Sequence, residues 1–455
     1  MKKAFLGVML AAVLLVSAVM PVVAAEPESE GMLLFHPALH KAEFAFGLEG
    51  EGGVEAQDGA GETPFWVDMV NAEYYPEGGE GVYVAVLDTG LLEMWPDFFG
   101  HANIEDEWGI GFTHDVYWDP VEEEIVWGPL RDDVGFITKP WEGSGHGTHI
   151  TSTVVGYRFK TATADFIVDG VAPKATIIPV LCMDAWYVEV PTWYDPDGYV
   201  LYAGGTDEMV AAGINYVAEL AESEGIKIVI NMSLGGGVPS AMIEEAIDYA
   251  ISKGVVVVAS AGNDGYAGMG WPGAHPQVIS AGAGGWTEQW IVKPPQTRWW
   301  LNDVTEELNT EDYWGNNWQM YLEDFSSRPN MDLGQMSFDL DVTAPGASIV
   351  GPYKGYFSTS IGYYYLWGTS MAAPHVAGIA SVVLGEYPHL NQYQMEFILK
   401  NAAQGLPLAS DGAYVLDPWG FWYFEWFGTD YGAGWLTADR AMTRADIFTR
   451  ARFRA

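Results

Sequence analysis

Ser370 lies in the run Gly368-Thr369-Ser370-Met371-Ala372-Ala373-Pro374-His375-Val376-Ala377-Gly378. A serine hydroxyl attacks a carbonyl only when a neighbouring base takes its proton, so a nucleophilic serine must be both accessible and held still. The small residues around Ser370 let a substrate backbone approach, and the Ala/Val/Gly stretch after it reads as a closely packed helix. Asp88 ends the apolar run Val84-Ala85-Val86-Leu87 and precedes Thr89-Gly90. That pattern is a buried parallel strand presenting a carboxylate at the carboxyl edge of its sheet, where open α/β sheets build their sites. His146 sits in Gly145-His146-Gly147-Thr148-His149, and Asn263 closes the β-branched run Val255-Val256-Val257-Val258-Ala259-Ser260-Ala261-Gly262 with a polar amide.

Each of these residues has an ordinary reading when taken singly. Asp88 could start a turn, and Asn263 could be a strand-end turn residue. His146 and His149, three positions apart, could be metal ligands on one helical face. Jointly they carry more, because Asp88, His146 and Ser370 follow the Asp…His…Ser order that separates subtilisin from chymotrypsin and the α/β-hydrolases. With these runs in that order, the chain resembles the subtilisin-like serine proteases, the subtilases.

The resemblance implies a serine endopeptidase that hydrolyses peptide bonds through an acyl-enzyme. By that resemblance His146 is the general base, Asp88 orients it and stabilises its imidazolium, and Ser370 attacks the scissile carbonyl. Asn263 and the backbone N–H of Ser370 would donate to the oxyanion, and His149 would support the loop. The resemblance also makes Ser233, Leu234 and Gly235 one wall of the primary specificity pocket and Ser260, Ala261 and Gly262 the other. The first wall would pair with an extended substrate backbone. Walls without charge leave a buried cation or carboxylate unpaired, which predicts a preference for large apolar or aromatic P1 residues. Catalysis in this family needs no cofactor. Structural calcium is common in it, but its calcium loop does not map onto residues 156–169, so no metal site is assigned and Asp165 and Asp169 stand only as candidates. The likeness runs from residue 64 to residue 442, with insertions.

The elements that must position these groups are legible too. Ile243, Ile247, Ala250 and Ile251 recur at helical spacing between two apolar strands, with Ser240 as a start signal and Gly254 as a stop. A comparable helix is expected from Thr206 to Ser223. Strand, helix and strand in units of this length imply right-handed crossovers. The expected fold is α/β, a three-layer α/β/α arrangement with a mainly parallel, subtilisin-like sheet.

Lys2-Lys3, an uncharged stretch and the small residues Val23-Ala24-Ala25 read as a secretory signal peptide over 1–25, with an uncleaved N-terminal anchor as the alternative. Pro21 and the small-residue ending favour cleavage, so the protein is expected to be secreted and extracellular. Residues 26–62 form a short propeptide or a linker. Residues 63–455 form the peptidase domain, with aromatic-rich insertions near 184–205 and 284–324. The lone Cys182 excludes intrachain disulfides and reads as a buried thiol. Sixty-one Asp and Glu against 20 Lys and Arg give a net charge of −41. Such a chain does not take nucleic acid or anionic membranes as general partners. It suits high salt or an acidic medium, and its expected partners are polypeptide substrates of a monomer. Two other functions fit the same residues: a catalytically silent peptide-binding scaffold, and a processing protease dedicated to one precursor.

Overall fold

The computed structural model describes residues 43–44, 62–162, 164–191, 198–287, 289, 300, 320–404, 408, 412–417 and 420–452. Apolar runs without alternation require cover on both faces, and the strands meet that requirement in one twisted sheet. In chain order the longer strands of this sheet and of one separate hairpin are Val82–Asp88 (β1), Ile110–Asp119 (β2), Glu124–Val134 (β3), Thr176–Leu181 (β4), Asp184–Glu189 (β5), Tyr199–Gly204 (β6), Lys227–Met232 (β7), Val256–Ser260 (β8), Ile279–Trp286 (β9), Met320–Leu322 (β10) and Val342–Pro345 (β11), and the short Asn103–Ile104 joins the sheet beside β4. The main sheet runs β10-β9-β8-β7-β1-β4-β2-β3, with β11 also paired to β9. Its centre is parallel, and only β3 and β10 pair antiparallel to their neighbours. Strands β5 and β6 form a separate antiparallel hairpin from the first insertion.

Register decides which residues face which layer. Val84 lies between Ile177 and Val229, and Leu87 between Val180 and Met232. Val84 and Val86 enter one core with helices His146–Val155 (α1), Thr369–Glu386 (α4), Gln392–Ala403 (α5) and Ala438–Arg452 (α6). Ala85 and Leu87 enter the other with Asp207–Glu224 (α2) and Ala241–Ser252 (α3). Helix, sheet and helix make the three expected layers. Thr206 caps α2 by accepting from the Met209 N–H. Ser240 precedes α3 as read from the sequence, but its side chain makes no capping bond to that helix.

Ile349–Tyr353 (β12) and Gly362–Leu366 (β13) form an antiparallel hairpin that leads into α4, and Glu43–Phe44 pair with the outer edge of β13. From the second insertion, Trp286 and Trp300 are buried in the core against Phe65 and Tyr365 respectively. Trp290, Trp299, Trp314 and Trp318 lie outside the described residues, as do the signal segment and residues 45–61. Cys182 is buried, and burial followed by the nearby Asp88 charge pushes its thiol pKa well up. Among the described residues no helix is long and apolar enough to cross a membrane.

The charge excess has a consequence for stability. One-to-one pairing of every basic residue would still leave the net −41. Two like charges 10 Å apart repel by only about 0.4 kcal/mol in water, but dozens add with one sign. The Debye length falls from about 30 Å at 0.01 M salt to about 3 Å at 1 M. The unfolding midpoint is therefore expected to rise as sodium chloride is raised across that range in a thermal scan. A midpoint that stays flat or falls would show that self-repulsion is not a material cost of this fold.

Candidate active site

Asp88 is the last residue of β1 and is fully buried. The chain turns away from it at Gly90, whose φ is +72°. A Cβ there would lie 2.0 Å from the Phe136 carbonyl oxygen, so only glycine fits. Thr89 donates its N–H to Asp88 Oδ1 at 2.7 Å and its hydroxyl to the Ser144 carbonyl at 2.9 Å, and its hydroxyl accepts from the Gly147 N–H at 2.9 Å. The strand end and the start of α1 are thereby tied through one side chain.

His146 is the first residue of α1 and is 6% exposed. Its Nδ1 lies 2.8 and 2.9 Å from Asp88 Oδ1 and Oδ2. Gly147 makes this approach possible: a Cβ there would meet the Gly90 carbonyl oxygen at 2.4 Å and Asp88 Cβ at 3.2 Å. Thr148 accepts the Leu92 N–H, which fixes the chain beyond Asp88 to the same helix. His149 points away from this pair. Its Nε2 bonds the Ile349 carbonyl at 3.0 Å, and burial pushes its pKa down to about 3, so it stays neutral and structural. His375 is equally buried, with its pKa lowered by burial to about 4 and Nδ1 on the Met371 carbonyl.

Ser370 occupies the second position of α4 and is 4% exposed. Its Oγ donates to the Ser233 carbonyl at 3.2 Å, while Ser233 Oγ donates to the Ser370 carbonyl at 2.7 Å. This reciprocal pair fastens the start of α4 to the end of β7. Asn231 Nδ2 donates to Ser233 Oγ at 3.0 Å and completes the anchor.

Asn263 follows β8, and its Oδ1 accepts from both the N–H and the hydroxyl of Thr369, at 2.8 and 2.9 Å. With the oxygen committed, the amide Nδ2 is directed away from Thr369 as a donor. Thr369 stands inside the same run as Ser370, yet its type and position alone do not mark it as the anchor of Asn263.

The two stretches read as pocket walls also meet. Ser260 Oγ donates to the Leu234 carbonyl at 3.2 Å. Gly236 and Trp271 exchange both backbone bonds at 2.8 Å, and the Gly270 N–H reaches the Ala261 carbonyl at 2.9 Å. A Cβ on Gly235 would lie 3.3 Å from the Trp271 carbonyl oxygen, and one on Gly262 would lie 2.9 Å from Ser327 Oγ. The Ala261 backbone is therefore used within the fold, and the Ser233 side chain bonds the start of α4.

The calcium candidates are engaged elsewhere. Arg158 forms a bidentate pair with Asp165 at 2.6 Å, and Asp169 accepts the Thr63 hydroxyl at 2.8 Å. Among the described residues no group of three or more His, Cys, Asp or Glu side chains is arranged to hold a metal ion.

The arrangement holds the His146 imidazole on a buried carboxylate, with the Ser370 hydroxyl bonded to the Ser233 carbonyl, and known proteins share its frame. The chain is 28% identical over 363 residues to a subtilisin of Bacillus sp. (strain TA39), covering 78% of this chain and 66% of that one. It is 30% identical over 332 residues to fervidolysin of Fervidobacterium pennivorans, covering 71% of this chain but 38% of the relative. It thus spans less than two thirds of the length of either relative. The solved structure of sphericase superposes with a TM-score of 0.51 at 25% identity, covering 82% of this chain and 97% of that one. The family model described as the subtilase family matches residues 79–421, a span that holds all four of Asp88, His146, Asn263 and Ser370, and the chain belongs to that family.

Proposed function

We propose that this protein is a secreted serine endopeptidase that cleaves polypeptides by acyl transfer. The observation that carries the reading is the buried Asp88 carboxylate bonded through both oxygens to His146 Nδ1, at the sheet edge where α4 presents Ser370. In this reading Ser370 Oγ exchanges the Ser233 carbonyl for His146 Nε2 and attacks the scissile carbonyl as His146 takes its proton. His146 then returns that proton to the leaving amine, and Asp88 stabilises the imidazolium meanwhile. Asn263 Nδ2 and the Ser370 N–H, at the positive end of α4, receive the oxyanion. Water repeats the sequence on the acyl-enzyme. Catalysis needs no cofactor.

A fluorophosphonate probe tests the assignment: it is expected to label the folded wild type and to leave Ser370→Ala unlabelled. Folded wild type that takes no label would favour the silent scaffold. Cleavage of denatured casein at many bonds would separate a broad endopeptidase from a dedicated processing enzyme.

The pocket proposal has its own test. Ser233, Leu234, Gly235, Ser260, Ala261 and Gly262 bring no charge, and glycines at 235, 262 and 270 let the flanking segments pack closely against one another. Profiling a peptide library is expected to show large apolar or aromatic residues at P1 ahead of Lys, Arg, Asp and Glu. Dominant cleavage after Arg or Lys would show that a carboxylate reaches the pocket from another loop.

A further inference from the structure

Lys354 is only 1% exposed, although lysine is among the residues least often buried. It follows β12, and its Nζ donates to the carbonyl oxygens of Trp141, Gly143 and Ser358, at 3.3 Å to Trp141 and 3.2 Å to Ser358. An ammonium has three N–H donors and no acceptor, so three converging carbonyls saturate it. Carbonyl oxygens gathered on one point are also how proteins hold hard metal cations. Here a tethered amine fills that position. Burial pushes its pKa down to about 8, opposed by the charge of Glu142.

The loop it gathers is the one that leads into His146. The Gly145 N–H donates to the Lys354 carbonyl at 2.7 Å, and Phe357 and Ser358 donate to the carbonyls of Glu142 and Trp141 at 3.1 Å. A Cβ on Gly145 would lie 2.7 Å from the Lys354 nitrogen, so the two segments touch backbone to backbone. On the same loop, Lys139 bonds the Ala185 carbonyl at 2.7 Å and pairs with Asp184 at 2.8 Å. Segment 139–145 is therefore fastened at one end to β5 and along its length to segment 354–358.

We propose that Lys354 is a positioning residue, a built-in cation that holds the 141–145 loop and through it sets His146 against Asp88 and Ser370. The inference rests on the protease reading for its catalytic consequence, but the cage itself does not. The test uses Lys354→Met, which keeps the length of the stem without charge or donors, and Lys354→Ala, which leaves space for an added cation. Hydrogen exchange is followed in peptides spanning 139–146 and 354–360, beside kcat and KM for a peptide amide.

Both variants are expected to exchange faster in those two segments, with kcat lowered roughly 10²-fold, the cost of a misplacement of about 1 Å, and KM little changed. Methylammonium or ethylammonium is expected to restore protection and kcat in Lys354→Ala and not in Lys354→Met. Restoration by potassium or calcium would equally support a cation cage. Unchanged exchange in the folded variants would overturn the cage. Faster exchange with wild-type kcat would overturn the positioning role. Lack of turnover by the wild type would count against the protease reading alone, because exchange reports the cage without any reaction.

Discussion

Ser370→Ala is expected to lower kcat by about 10⁶-fold on a peptide amide, with KM and the unfolding midpoint close to wild type. That is the size of the loss when the nucleophile of subtilisin, a member of the same family, is removed. The fold explains why stability should survive. Ser370 Oγ makes one bond, to the Ser233 carbonyl at 3.2 Å, while the tighter 2.7 Å bond of the reciprocal pair is donated by Ser233 to the Ser370 backbone and remains. Alanine is also the best helix former, at a helical position. Turnover is read against protein concentration from absorbance, since the variant cannot be titrated by an active-site reagent. A residual rate within about tenfold of wild type would remove Ser370 as nucleophile and leave the Asp88–His146 pair without a catalytic partner.

Asn263 gives the second large effect and a sharper separation of roles. Asn263→Leu is expected to lower kcat roughly 10²–10³-fold with little change in KM, again a magnitude measured in subtilisin. It should also destabilise the protein by about 1–3 kcal/mol, because the buried Thr369 N–H loses its acceptor, while the hydroxyl keeps the Gly262 carbonyl. Asn263→Asp divides these consequences. Its carboxylate still accepts both Thr369 bonds, so stability should be largely kept, yet it offers no N–H to an oxyanion and brings a charge of the wrong sign. Its kcat should therefore fall at least as far as that of the leucine variant while its unfolding midpoint stays nearer to wild type. An aspartate variant with wild-type kcat would show that Asn263 only anchors Thr369.

Much of the arrangement was legible because its parts are contiguous. Asp88-Thr89-Gly90 and Gly145-His146-Gly147-Thr148 are dense in small residues, and the fold gives the reason: at Gly90 and Gly147 a side chain would collide with backbone at 2.0 and 2.4 Å. The spacing of Ile243, Ile247, Ala250 and Ile251 likewise marked a helix face, of which the first three residues are buried and Ile251 is half-buried. The long β2–β3 hairpin was not legible. It forms the far edge of the sheet, and its pairing is broken by register irregularities between Gly111 and Thr113 and between His114 and Val116. An irregular, half-exposed ribbon has no clean period of two to read.

The fold class was readable from apolar periodicity, a local property written in consecutive residues, and the contiguous runs around Asp88, His146, Asn263 and Ser370 carried the resemblance that implied the site segments. The tertiary structure decided what each polar group does there. Ser233, read as a pocket wall, turns its hydroxyl to the Ser370 backbone, and Thr369, unread, fixes Asn263. Lys354, one lysine in an acidic chain, becomes a buried cation only because carbonyls from residues 141, 143 and 358 converge on it. Such convergence joins loops more than 200 residues apart in the chain. No pattern in neighbouring residues records it, since a carbonyl's direction is set by loop conformation and every residue type carries the same carbonyl.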